Sequence, residues 1–85
     1  MKINDLRKIL QENNIYKFDY SLSEDDPPRI ECVLCIRKRS DGFDVYSTER
    51  DDIVESHSFK SEDEACDYFL LDLSYDYKQL KKYVK

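Results

Sequence analysis

The chain has 85 residues, with 14 Lys and Arg against 19 Asp and Glu, one His, one Gly and two Pro, and a formal net charge of -5. That length suits one domain, and 40% hydrophobic with 39% charged residues suits a folded one rather than a disordered tail or a fibrous repeat. No run of 18 apolar residues offers a membrane span, and the opening MKINDLRKIL lacks the apolar stretch of a secretory leader, so the expected compartment is the cytoplasm.

In chain order, Leu6, Ile9 and Leu10 fall at i, i+3 and i+4 and predict a helix over 5–12. Asn4 is the expected N-cap, Asp5 complements the helix dipole, and Asn13 and Asn14 are the expected stop. Residues 15–22 alternate, which predicts a strand with Tyr16, Phe18, Tyr20 and Leu22 toward the core. Residues 23–28, SEDDPP, read as a loop. Residues 29–38 predict a second strand, with Ile30, Cys32, Leu34 and Ile36 on one face and Val33 and Cys35 on the other. Apolar character on both faces places it centrally in its sheet.

Residues 39–42, RSDG, predict a hairpin turn in which Asp41-Gly42 supplies positive φ. A third strand follows through Phe43, Val45 and Ser47, and after a turn at 49–52 a weaker fourth runs from Ile53 to Phe59. Ser61 to Glu64 fits the S-x-x-E capping box and opens a helix from 62 to at least 72, with Ala65, Phe69 and Leu73 on one face beside Cys66 and Leu70. Ser74 marks a weak point, and Tyr77, Leu80 and Val84 carry the apolar stripe onward. Lys78, Lys81, Lys82 and Lys85 sit where a negative helix end favours cations. The expected fold is α+β: a single domain over 1–85, with an N-terminal helix, a four-stranded antiparallel meander and a C-terminal helix, both helices on one sheet face.

Little in the sequence points to catalysis. One Gly cannot build a nucleotide-binding loop. Cys32 and Cys35 form a C-x-x-C pair, but inside a strand, where their side chains point to opposite faces. With Cys66 they make an odd count, best read as reduced structural thiols. His57, the only His, stands at no nucleophile or zinc spacing from them, and Ser56 and Ser58 flank it without an elbow glycine. The expectation is no enzyme, no metal and no cofactor, with a thiol or metal role for Cys32, Cys35, His57 and Cys66 as the weaker rival.

The charge distribution says more. Residues 41–76 carry 12 acids and 2 bases, a net of -10, while residues 1–40 are near balance at +1 and residues 77–85 carry four Lys. That argues against a nucleic-acid surface and for a basic partner. Seven Tyr exceed what so small a core can bury with their hydroxyls satisfied, and Tyr favours interfaces. The candidate contacts are Tyr46, Asp51, Asp52, Glu55, Glu62, Asp63, Asp67, Tyr68 and Tyr75, with Gly42, Ser61, Glu64 and Phe69 assigned to structure. Glu49 and Arg50 are expected to brace their turn.

Two stretches carry a resemblance. Residues 42–50, GFDVYSTER, followed by Phe59 and then residues 61–70, SEDEACDYFL, resemble the small immunity proteins of bacterial polymorphic toxin systems. The likeness spans about a third of the chain. It implies a cytoplasmic, non-enzymatic protein that binds the C-terminal domain of a cognate toxin. The resemblance does not say which toxin; the acids clustered in 41–76 point to a basic, nuclease-like domain, and the free protein is expected to be a monomer or weak dimer with no nucleic-acid or membrane contact. The alternative is a small adaptor that binds a partner other than a toxin.

Overall fold

The computed structural model describes residues 1–16, 19–23, 33–49 and 52–84. Helix α1 (Ile3–Glu12) starts earlier than the apolar spacing suggests. Lys2 is its N-cap, and the Lys2 N–H donates to Asp5 Oδ2 at 3.0 Å, so Asp5 works from inside the first turn and Asn4 lies within the helix. The stop at Asn13 and Asn14 holds. Asn14 takes φ 56°, a left-handed value that Asn tolerates better than most residues. The Asn14 and Ile15 amides donate to Gln11 O and Leu10 O, a Schellman closure that turns Ile15 inward to 5% exposure.

That closure explains the first correction. Ile15 is consumed in ending the helix, Tyr16 is 58% exposed, and the Tyr16 carbonyl accepts the Asp19 N–H at 2.9 Å. The first strand is therefore short: β1 is Tyr20–Ser21, and the predicted inward residues Tyr20 and Leu22 are buried, while Phe18 lies outside the described residues.

The other strands are β2 (Val33–Arg39), β3 (Gly42–Glu49) and β4 (Asp52–Phe59), and the sheet order is β1-β2-β3-β4. The order is that of a meander, but β1 runs parallel to β2, so the sheet is mixed. The interval 22–32 has the length a parallel crossover needs rather than that of a hairpin. The remaining pairs are antiparallel, with Ile36 opposite Val45 and Val45 opposite His57. Central β2 is buried on both faces, Leu34 and Ile36 on one and Val33 and Cys35 on the other. The sequence expectations at Ile30 and Cys32 fall outside the described residues.

The β2–β3 turn is at Ser40-Asp41, with Arg39 paired to Gly42. Gly42 is needed for space, not for positive φ, which it does not adopt: a Cβ there would stand 2.2 Å from the Phe59 carbonyl oxygen. Helix α2 (Glu62–Ser74) begins at Ser61 as the capping box requires. The Glu64 N–H donates to Ser61 Oγ at 3.2 Å, although the Glu64 carboxylate accepts from the Ser61 hydroxyl at 3.1 Å rather than from its amide. The helix stops at Ser74, whose hydroxyl donates back to Leu71 O at 2.6 Å. A 3₁₀ helix (Lys78–Tyr83) follows, so Lys81 and Lys82 serve that element and α2 has no basic residue in its last turn.

Both helices share one face of the sheet. Leu6 and Leu10 of α1, Ile36 and Val45 of the sheet, Phe69 and Leu70 of α2, and Leu80 form one core, each at most 1% exposed. Burying these side chains is worth about 1.5–3 kcal/mol apiece. No helix among the described residues is long and apolar enough to cross a membrane.

Candidate functional site

The far end of α2 overhangs the sheet and leaves a cleft of about 530 Å³. Val33, Leu34 and Leu73 give it apolar walls, and Ser47 comes from β3. Four carboxylates converge on it from separate parts of the chain: Asp19 before β1, Glu55 on β4, Asp72 on α2 and Asp76 just beyond. Among the described residues no Lys or Arg forms an ion pair with any of the four; the basic side chains pair elsewhere, as Lys8 with Glu12 and Arg39 with Asp41 and Asp44. Glu55 meets His57 Nε2 at 2.8 Å, the one titratable partner of opposite potential charge among the described residues.

The electrostatics record this crowding. Partial burial pushes the Asp72 carboxyl above the ordinary carboxylate range, and the charges of Glu55 and Asp76 push the same way, with His57 opposing. Burial also raises the Tyr77 hydroxyl to about 12, helped by its hydrogen bond to Asp19 and the Asp19 charge. The Tyr68 hydroxyl is raised by burial, then by Asp72 and Glu55. A group of acids with no cation among them favours whatever positive charge can enter.

The residues singled out in the sequence do not gather in this cleft. Glu55 lines it. Tyr68 lies beside it, its ring 4.8 Å from His57 and 5.3 Å from Phe59. Tyr75, at the end of α2, is 70% exposed. Asp52 is exposed at the start of β4 and Asp67 on α2. Glu62 and Asp63 are engaged at the opposite end of α2: Glu62 accepts the Ile3 N–H at 2.6 Å, and Asp63 pairs with the Met1 amine at 2.5 Å. Tyr46 is half-buried on β3, in register with Cys35 and Ser56 and so on the sheet face away from α2. Asp51 and Arg50 fall outside the described residues. Ser61, Glu64, Gly42 and Phe69 hold structural positions.

Asp19, Asp72, Asp76 and Tyr77 escaped the sequence argument. Asp72 and Asp76 are four apart in the sequence, but α2 ends at Ser74 between them, so helical spacing alone does not bring them together. The Tyr77–Asp19 bond spans 58 positions and left no local trace. Of the thiols, Cys35 is buried on the sheet face away from α2, and Cys66 is buried in α2, its thiol pushed up to about 12 by burial and then by Glu62. Among the described residues, no group of three or more His, Cys, Asp or Glu is placed to hold a metal ion.

Comparison with family models, with curated proteins and with solved structures returns no match for the chain. The fold and the cleft therefore define the class on their own terms: a small α+β domain with a mixed four-stranded sheet and a concentrated acidic surface.

Proposed function

We propose that the chain is an immunity protein that binds a basic domain of a cognate bacterial toxin in the cytoplasm and neutralises it by covering its substrate surface. The observation that supports this most is the convergence of Asp19, Glu55, Asp72 and Asp76 on one cleft without a Lys or Arg partner among the described residues. Such a cleft takes a guanidinium or ammonium group, and a toxin that acts on nucleic acid must present those groups to hold phosphates. Inhibition then needs no chemistry from this chain. Its carboxylates occupy the cations that substrate would otherwise use.

Charge and aromatic contacts have different tasks in this scheme. The acids of the cleft, with exposed Asp52 and Asp67 elsewhere on the surface, speed encounter with a basic surface. Exposed Tyr75 and the edge of Tyr68 supply rigid apolar area whose burial slows dissociation. The apolar walls at Leu34 and Leu73 fit the stem of an Arg whose head meets the carboxylates.

The test is rescue. Co-expression with the toxin domain encoded beside this gene should restore growth and abolish the toxin's activity in a purified mixture. A variant carrying Glu55→Lys and Asp76→Lys should lose that protection while keeping its fold by circular dichroism. Tight binding to an unrelated protein, with no effect on the adjacent toxin, would select the adaptor role instead.

A further inference from the structure

We infer that the solvent side of α2 is a docking face for a basic amphipathic helix of a partner protein, whose apolar stripe packs on Tyr68, Leu71 and Tyr75 while its Lys or Arg side chains meet Asp67 and Asp72. A helix lying on a sheet needs one apolar side, and α2 gives Ala65, Phe69 and Leu73 to the core, each at most 4% exposed. It carries a second apolar line. Tyr68, Leu71 and Tyr75 fall at i, i+3 and i+7, running from the β4 flank of the helix onto its solvent side. Tyr75, the C-cap, keeps a helical backbone at φ -69° and ψ -29°, so the spacing holds through it. Leu71 is 37% exposed and Tyr75 70%. The Tyr68 ring rests against His57 and Phe59, which fixes that end of the line before a partner arrives. Beside the line lies a groove of about 250 Å³, with buried Leu70 at its floor and Leu71, Tyr83 and Val84 in its walls.

The occupant is argued from charge. With Tyr68, Leu71 and Tyr75 at the a, d and a positions of a heptad, Asp67 falls at g and Asp72 at e, the positions that choose a helical partner. Among the described residues neither carboxylate is in a salt bridge. Between Ser61 and Tyr77 the chain has six acids and no Lys or Arg. A second copy of α2 is therefore a poor occupant. Laid parallel, its Asp72 would meet Asp67; laid antiparallel, each acid would meet its own counterpart. An anionic bilayer is repelled on the same ground. A helix with large apolar residues at a and d and Lys or Arg at e and g is complementary throughout, and one of its apolar side chains fits the groove beside Leu71. The face is only about two turns long, so such a helix binds weakly unless its flanking residues also reach the acidic cleft that Asp72 borders. The inference goes beyond the toxin reading and does not need it, because the face fixes the partner's chemistry whatever protein carries it.

Fluorescence anisotropy with labelled peptides of about three heptads tests it. The first has Leu at a and d with Lys at e and g. The second keeps the Leu positions and has Glu at e and g. The third has the composition of the first in scrambled order. The wild type should bind the first at least about tenfold more tightly than either other. Leu71→Asp and Tyr75→Asp should each weaken that binding at least about tenfold with far-UV dichroism unchanged. Tyr75 is the more exposed, so its variant decides if Leu71→Asp fails to fold. Asp67→Lys with Asp72→Lys should reverse the preference to the second peptide. Equal affinity for the first and scrambled peptides, binding untouched by the apolar variants, or a double variant that still prefers the basic peptide would overturn the inference. So would dimerisation, or binding to neutral lipid vesicles, that Tyr75→Asp abolishes while the first peptide does not bind. Binding of the first peptide by a protein that gives no protection against the adjacent toxin would uphold this face and remove the immunity role.

Discussion

Replacing Asp72 by Asn should make the isolated protein more stable while weakening its contact with a basic partner. Asp72 sits in the last turn of α2, and its like-charged neighbours are Asp76, just past the helix end, and Glu55 across the cleft. Each such partly exposed like-charge contact, screened by solvent, is destabilising by about 0.2–0.5 kcal/mol. His57 offsets part of it. Removing the Asp72 charge is therefore worth about 0.5–1 kcal/mol, which for a domain of this length raises Tm by about 2–8 °C. The pH dependence has a definite sign. Burial and two neighbouring acids raise the Asp72 pKa in the folded state, so the folded protein prefers the protonated acid. The Asp72 contribution is fully favourable below the ordinary carboxylate pKa and is lost as pH rises through the raised value. The variant does not titrate there. Its Tm advantage should be full at neutral pH and shrink as the medium is acidified toward about pH 4. Thermal unfolding by circular dichroism across that range, with both proteins, measures it. A variant less stable than wild type at neutral pH, or a Tm difference that does not change with pH, would show that Asp72 is held by a favourable contact and that the acids do not repel.

Ser61→Ala should cost about 1 kcal/mol through loss of the bond from the Glu64 amide, read as a lower urea midpoint at unchanged slope. Phe69→Ala empties a fully buried site and should cost about 3–5 kcal/mol, enough to leave a marginal domain largely unfolded at 37 °C in a thermal melt. Gly42→Ala should be destabilising although its φ is ordinary, because the Phe59 carbonyl must move; matched chemical denaturation against Ser40→Ala, in the same turn, isolates the effect. Tyr77→Phe should cost about 1–2 kcal/mol, and its deficit should shrink as pH rises from about 10 toward 12, since the wild-type hydroxyl, raised to about 12, contributes stability that is lost across that interval.

How far the sequence carried the account depends on the range over which each feature is specified. Ser61 with Glu64, the stop at Asn13 and Asn14, the turn before Gly42 and the break at Ser74 are written within a few residues, and each is where the residues put it. The centrality of β2 was legible because apolar residues on both faces have one explanation. Strand β1 was overextended because alternation from Ile15 to Leu22 is also compatible with a helix closure followed by a turn, and the burial of Ile15 went to the closure. The parallel sense of β1 could not be read, since a strand's own residues do not fix its direction. For the site, Glu55, Tyr68 and Tyr75 were accessible to charge and composition. Glu62 and Asp63 looked equivalent to them until the fold brought the Met1–Ile3 segment alongside. Asp19 and Tyr77 belong to the cleft only through tertiary structure.

The most direct measurement on the central claim is the kinetics of binding to the adjacent toxin domain, at low and high salt, for wild type, Glu55→Lys with Asp76→Lys, and Tyr75→Ala. If the acidic cleft is the contact, the double reversal should slow association and flatten its dependence on salt, while Tyr75→Ala should leave association nearly unchanged and speed dissociation by a factor equivalent to about 2 kcal/mol. An association rate that is the same for the double reversal and the wild type at both salt concentrations would contradict the account.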